Sequence, residues 1–343
     1  MENLSKVLII GLGSIGKTHL EKALKFYDQV TIVDINLEVS NYIESHLEKK
    51  RLLFYDNLKD LPLNIIYELC VIANYGPDHF NTFTHLVSSG NKRFLIEKPL
   101  VSKIADLIDI KRITKERSLN LICHMPWSYS GFSERVKNFA KLNNLGDLQN
   151  ILVSGGAKCL VTNGIHYVGL AQMLFDEPPS EVSALVNNAK INPRGSDYLF
   201  FGGTSTWMFS NEKYLNIAFS NSSNIQLTVV LTFKNSQMYI INNEVLVTQI
   251  PNIDKIDKPT RTFHATKKIG QFSAFTDIQN EDGSDNIYRR FRVGDGWEEL
   301  SHGSIATEAI FAMLISGEEE KVVKMPINDS LIEKYCTRDW MIT

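Results

Sequence analysis

The chain has 343 residues, with 36 Lys and Arg against 39 Asp and Glu and a formal charge of −3. That length argues for two domains, and the near-balanced charge argues against a protein that coats nucleic acid or an anionic membrane. Hydrophobic residues at 43% and charged ones at 22% are globular proportions, and no apolar run is long enough for a membrane-spanning helix.

The first apolar run, Val7-Leu8-Ile9-Ile10, is cut at once by Gly11-Leu12-Gly13. It therefore reads as a β-strand and not as a secretory leader. Cys70, Cys123, Cys159 and Cys336 are scattered without a CxxC pair, which favours reduced thiols and a cytoplasmic protein.

Up to about residue 125, short apolar runs alternate with helical periodicity. The runs Lys6–Ile10, Val30–Val33, Leu52–Tyr55, Leu69–Ala73, Arg93–Ile96 and Leu119–Cys123 are expected to be strands covered on both faces. Leu20, Ala23, Leu24 and Tyr27 mark one face of an intervening helix. Phe80, Phe83 and Val87 mark a second, and Ile104, Leu107 and Ile108 a third. Such alternation predicts a doubly wound parallel sheet, an α/β fold, over residues 1–125.

Residues 126–343 have a different texture. A helix is expected at Phe132–Leu142, a strand at Leu148–Ser154 and a helix from Gly164 to Leu174. Ile225–Lys234 alternates apolar and polar side chains, as does the stretch holding Leu215, Ile217 and Phe219, which predicts antiparallel sheet with one face buried. Turns are expected at Asn235-Ser236 and Asn242-Asn243. Two helices close the chain. One carries Ala306, Ala309, Ile310, Met313 and Leu314 and is expected to stop at Gly317, with Glu318-Glu319-Glu320 in a loop. The other starts near Asn328-Asp329.

Gly11-Leu12-Gly13-Ser14-Ile15-Gly16 follows a predicted strand and opens a predicted helix. In that context Gly11 serves the tight turn, Gly13 the approach of backbone to a pyrophosphate, and Gly16 close helix–strand packing. The N–H groups at the helix start, including those of Ser14 and Ile15, face the anion. Asp34 ends the second strand, 18 residues beyond Gly16, where a carboxylate can accept from ribose hydroxyls and repel a 2′-phosphate. Ile35 and Asn36 follow without an Arg, so NAD is expected over NADP.

The fifth strand ends in Glu97-Lys98-Pro99, which places Lys98 in the crevice above the strand ends. Together with GLGSIGKTH, Asp34 and the stretch Ala73-Asn74-Tyr75-Gly76-Pro77-Asp78-His79, this order of motifs resembles the glucose-fructose oxidoreductase / inositol 2-dehydrogenase / rhizopine catabolism (Gfo/Idh/MocA) family. The resemblance implies a Rossmann domain and then an α/β domain with a large, mostly antiparallel open sheet. It also implies a homodimer or homotetramer paired through that sheet. It adds Asn74, Pro77, His79, Glu97 and Lys98 to the cofactor-binding set, and makes Lys98 the residue that touches both nicotinamide ribose and the reacting hydroxyl.

Sugar- and polyol-oxidising members carry Asp-x-Gly-x-His in the second domain, and the matching segment here is Thr162-Asn163-Gly164-Ile165-His166. His166 is the candidate base for the hydroxyl proton. Thr162 stands where the family has a carboxylate, so it can orient the ring but adds no charge. Thr162, Asn163, His166, Tyr167 and Arg194 are the candidate substrate contacts beside Lys98. The loop at Ile191–Tyr198 is a candidate for specificity. No HExxH or P-loop string occurs, and Cys123-His124 without further ligands reads as core or hinge, so no metal is expected.

The expected activity is hydride transfer between NAD and a secondary hydroxyl or ketone of a sugar, sugar derivative or cyclic polyol. The alternatives are an NAD-recycling glycoside hydrolase or lyase, and a non-catalytic NAD-binding regulator on the same scaffold. Neither nucleic acid nor membrane is an expected partner.

Overall fold

In a computed structural model of the chain, residues 4–62, 65–188, 199–220, 222–241, 244–250, 267–273, 283–293 and 300–342 are described. Two sequence expectations, the turn at Asn242-Asn243 and the loop at Ile191–Tyr198 with Arg194, lie outside them.

Six parallel strands form the first sheet: β1 (Lys6–Ile10), β2 (Gln29–Val33), β3 (Leu52–Tyr55), β4 (Leu69–Ile72), β5 (Arg93–Ile96) and β6 (Asn120–Cys123). Their order is β3-β2-β1-β4-β5-β6, the Rossmann order, which reverses direction between β1 and β4. The helices between them are α1 (Ser14–Phe26), α2 (Glu38–Ser45), α3 (His79–Ser88) and α4 (Ile104–Glu116). Val7, Leu8, Ile9 and all of β4 have no exposed surface, which is why these strands read as unbroken apolar runs.

The rest of the chain supplies α5 (Phe132–Leu142), β7 (Leu148–Gly155), α6 (Gly164–Phe175), β8 (Glu181–Asn188) and β9 (Phe201–Met208). Then come β10 (Tyr214–Phe219), β11 (Thr228–Phe233), β12 (Ser236–Ile241), β13 (Glu244–Gln249) and β14 (Lys267–Ser273). The last elements are α7 (Gly283–Val293), α8 (Leu300–Glu319), β15 (Val323–Lys324) and α9 (Asp329–Tyr335). Strands β7 to β15 make one nine-stranded sheet, ordered β14-β13-β12-β11-β7-β10-β9-β8-β15, in which only β7 and β10 pair in parallel.

Two compact units result. One comprises Met1–Pro126, Gly283–Thr307 and Ser330–Thr343, and the other Trp127–Asp282 and Glu308–Asp329. The first unit thus takes in α7 and the end of the chain besides the parallel sheet. Ala105 N–H donates to the Cys336 carbonyl and Trp340 N–H to that of Ser102, which ties the carboxyl end beside α4. In the second unit Ile151, Val153, Trp207, Leu215, Ile217 and Leu231 fill the buried side of the sheet, and α6 lies along β7 and β10. The opposite side mixes Ser and Thr with Leu152 and Leu185, which are 39% and 69% exposed.

The structure corrects three details. Gly317 does not end a helix: α8 runs on through Glu319, and a Cβ on Gly317 would lie 2.7 Å from Val186 Cγ2. That glycine lets helix and strand approach closely; it is not a cap. The acidic run at 318–320 therefore lies mostly on the last turn of α8. Strand β11 is also shorter than its alternating pattern, beginning only at Thr228.

Candidate active site

The cofactor-binding candidates converge because parallel strands place all their carboxyl ends on one edge of the sheet. Gly11, with φ +89°, follows β1; a Cβ there would meet Asn74 N at 2.6 Å and Ala73 O at 2.7 Å. At Gly16 the Cβ would lie 2.0 Å from Gly11 O, so both positions are fixed by backbone packing alone. Gly13 differs, because a Cβ there has nothing within 4 Å. It borders open space directly at the start of α1, where Ser14 and Ile15 are exposed and Lys17 N–H makes the first bond, to Gly13 O. The N–H groups of the preceding helical residues therefore have no partner within the helix.

Asp34, half-buried after β2, accepts from Leu12 N–H through Oδ2 at 2.5 Å and from Asn36 N–H through Oδ1 at 2.8 Å. A carboxylate has about four acceptor positions, so two such bonds leave capacity for ribose hydroxyls. Ile35 and Leu37, just beyond, are 90% and 63% exposed, and such apolar side chains suit the flank of a base. Asn74, after β4, donates through Nδ2 to Thr82 Oγ1 at 3.0 Å, while its Oδ1 is buried with no hydrogen-bond partner. An orphaned acceptor costs stability unless something occupies it, and a ribose hydroxyl fits the need. The residues present thus fit a dinucleotide: Gly13 with Ser14 and Ile15 would hold the pyrophosphate, Asp34 a ribose, and Asn74 the nicotinamide side.

Pro77 lies in the turn Gly76–Asp78 that leads into α3, and His79 opens that helix fully buried. Both ring nitrogens of His79 face carbonyl oxygens, Nδ1 that of Pro99 at 3.1 Å and Nε2 that of Asn74 at 3.2 Å. A neutral ring can donate to only one of them. Burial holds the imidazole below its ordinary pKa, against the opposing pull of those carbonyls. His79 therefore acts as a strut between the ends of β4 and β5.

Lys98 is half-buried after β5, and its bond to Pro99 is cis. Glu97 is buried, and its carboxylate is engaged by His19 Nε2 at 2.9 Å and His124 Nδ1 at 2.6 Å. Sequence reading gave His19 no role and placed His124 in a core or hinge. The signal was available in the register: Ile96 pairs with Cys123, which sets Glu97 and His124 side by side, and His19 lies one turn after Gly16. Helix α7 was missed altogether, because Arg289, Arg290 and Arg292 interrupt its apolar residues Ile287, Tyr288 and Phe291.

In the second unit, Asn163 precedes α6 and accepts from Cys159 N–H through Oδ1 at 3.2 Å. This tightens the loop that delivers His166 to the first turn. Helix α6 is apolar almost all round, and His166 and Tyr167 are its polar side chains with partial exposure. Tyr167 packs edge-on against Trp127 at 6.1 Å, and burial pushes its hydroxyl up to about 12. Thr162 is 6% exposed, so the residue in the carboxylate position is largely interior.

Among the described residues no helix is long and apolar enough to cross a membrane. No curated protein matches the chain in sequence. Solved structures match nearly its whole length at low identity, and so show the fold. The WlbA dehydrogenase from Chromobacterium violaceum, in complex with NADH and UDP-GlcNAcA, superimposes with TM-score 0.70 at 14% identity, covering 96% of this chain and 98% of that one. A super-repressor mutant of Gal80p from Saccharomyces cerevisiae gives TM-score 0.71 at 15% identity, covering 94% and 99%. A levoglucosan dehydrogenase complexed with NADH and levoglucosan gives 0.68 at 13%, again covering 94% and 99%. Residues 5–124 match the family model described as oxidoreductase family, NAD-binding Rossmann fold. Over residues 5–124, the amino-terminal domain of this chain matches the Gfo/Idh/MocA oxidoreductase family.

Proposed function

We propose that the protein is an NAD-dependent oxidoreductase acting on a secondary hydroxyl or ketone of a sugar, sugar derivative or cyclic polyol. The observation that carries this reading is the open ground at Gly13 together with Asp34, Asn74 and Lys98 at the carboxyl ends of one parallel sheet. When bound, the nicotinamide supplies hydride transfer. Lys98 donates from its ammonium to the substrate oxygen and stabilises the charge that develops there as the proton leaves. His166 takes that proton on a ring nitrogen, and returns it when a ketone is reduced. Thr162 supplies no charge to the ring, so Lys98 carries a larger share of the stabilisation than where a carboxylate stands behind the histidine. Asn163 and Tyr167 offer hydrogen bonds to further hydroxyls, and Arg194 is a further candidate contact.

Asp34, with no Arg beside it, supports NAD over NADP. The ligands of two structural neighbours, a nucleotide sugar and an anhydrosugar, support the substrate class. The half-apolar outer side of the nine-stranded sheet supports a homodimer or homotetramer, checked by light scattering. Four unpaired thiols support a cytoplasmic setting.

Thr162 and the likeness to Gal80p favour one second reading, a regulator that binds NAD without turnover. Lys98→Ala and His166→Ala separate the two. On the enzymatic reading each keeps NADH affinity within a few-fold and loses NAD reduction by about 10²–10⁴-fold. Parent protein that binds NADH but reduces no NAD, with biological activity intact in both variants, would establish the regulator.

A further inference from the structure

Beneath Lys98 lies a chain of five buried polar side chains from four elements. Glu97 Oε1 lies 2.9 Å from His19 Nε2 and 2.6 Å from His124 Nδ1. Beyond them, His19 Nδ1 lies 2.9 Å from Tyr288 Oη, and His124 Nε2 lies 3.0 Å from Ser284 Oγ. All five residues are at most 6% exposed. Burial pushes the Glu97 carboxyl up, but the two imidazoles outweigh it and hold it well below the usual carboxylate range.

An ionised Glu97 only accepts, so His19 must present Nε2–H and His124 Nδ1–H. Tyr288 and Ser284 can then donate to the remaining lone pairs, and every group is satisfied with neutral rings and one buried negative charge. The ligand atoms of His19, Glu97 and His124 lie within 4.8 Å of one another, as those of a metal site would. Their spacing decides against that reading. Two ligands at about 2.0 Å on a tetrahedral ion stand about 3.3 Å apart, whereas 2.6 and 2.9 Å are hydrogen-bond separations with a proton between the atoms.

The remaining oxygen of this carboxylate points along the chain: Glu97 Oε2 accepts from Lys98 N–H at 3.3 Å. Taking Lys98 as the reactive amine of the proposed function, we propose that His19, Glu97 and His124 are positioning residues for Lys98. They hold a carboxylate rigidly beneath it, which fixes the backbone from which the ammonium projects and supplies a buried counter-charge. Helix α1, whose first turn would hold the pyrophosphate, thereby shares a hydrogen-bonded anchor with the ends of β5 and β6. Fully satisfied buried networks of this kind fix one geometry and are sensitive to any missing member.

The test needs no substrate. The full-length protein is treated with a limiting amine-acylating reagent. The rate at Lys98 is read by peptide mass spectrometry against the exposed Lys50 in the same sample. Glu97→Gln keeps the shape and removes the charge, and His19→Ala and His124→Ala each remove one donor to the carboxylate. Lys98 is expected to acylate at least fivefold faster, relative to Lys50, in Glu97→Gln, and two- to threefold faster in each histidine variant. Tyr288→Phe, at the edge of the network, is expected to change the ratio less than twofold. Should Glu97→Gln fail to fold, the two histidine variants decide by the same ratio. An unchanged ratio in folded variants overturns the proposal. Where a substrate is in hand, Glu97→Gln should lower kcat at least tenfold with KM within threefold. A labelling change without turnover on any substrate would instead refute the enzymatic reading and leave the network standing.

Discussion

Three glycines of one loop should fail in different ways when each is given a methyl group. At Gly16 the new Cβ lies 2.0 Å from Gly11 O and 2.9 Å from Gly11 C, both backbone atoms that no rotamer change can move. Relieving that contact requires α1 to separate from the loop by more than an ångström, and overpacking of this kind costs about 1–3 kcal/mol or more. At Gly11 the left-handed φ of +89° adds strain to contacts of 2.6 and 2.7 Å. At Gly13 the methyl meets nothing within 4 Å, and φ −65°, ψ −164° is an extended conformation open to alanine. Gly13→Ala should therefore cost less than about 1 kcal/mol, a shift in Tm of no more than about 4 °C. The same methyl occupies the ground where the pyrophosphate would meet backbone N–H groups. Losing one charge-assisted hydrogen bond costs about 1.5–3 kcal/mol, or ten- to a hundredfold in Kd. Circular dichroism melting and NADH fluorescence titration read the two quantities independently. Gly13→Ala that binds NADH as tightly as the parent, or Gly16→Ala with an unchanged Tm, would refute this assignment of roles.

Two further outcomes follow from the site. Asp34→Ser, by removing the carboxylate that excludes a 2′-phosphate, should weaken NADH binding about tenfold and narrow the gap between NADH and NADPH; an unchanged preference would place the discrimination elsewhere. Burial lowers the proton affinity of both His19 and His79, so the unfolded chain binds protons more readily as pH falls below about 6.5, and stability falls with it. Each tenfold loss of proton affinity is worth about 1.4 kcal/mol once the pH is below the folded value. Glu97 adds its own loss at lower pH, beginning as the pH falls through the ordinary carboxylate range, where the unfolded carboxyl protonates first, and complete once the folded carboxylate is protonated too. Tm should therefore fall from pH 7.5 to pH 5, less steeply in His79→Asn, and parallel profiles would contradict this.

Much of the candidate site was legible because a Rossmann fold gathers its cofactor-facing residues where strands end, and strand ends are marked by local chemistry. Gly11, Gly13, Gly16, Asp34 and Lys98 each follow an apolar run short enough to delimit. What escaped is non-local. His19 and His124 meet Glu97 only through strand register and helix packing, and nothing in their neighbours along the chain announces a shared carboxylate. Tyr288 lies on a helix masked by its arginines, 269 residues from the histidine it bonds. Gly317 misled for a related reason: a glycine near an expected helix end looks like a cap, and only the position of Val186 shows that close packing requires it. The second sheet was visible where burial was one-sided, as at Leu215, Ile217 and Phe219. Strands β8 and β9, less regularly patterned, emerged only from pairing.

The central claim, that these residues make an NAD-dependent oxidoreductase for sugars or polyols, is tested most directly by following absorbance at 340 nm. Purified protein and NAD would be presented with a panel of sugars, sugar acids, inositols and nucleotide sugars. At least one member should give NADH formation that saturates with substrate, and Lys98→Ala should abolish it while NADH affinity survives. NADH that binds tightly with no turnover across the panel and no ketone reduced in reverse, or turnover indifferent to Lys98→Ala, would contradict it.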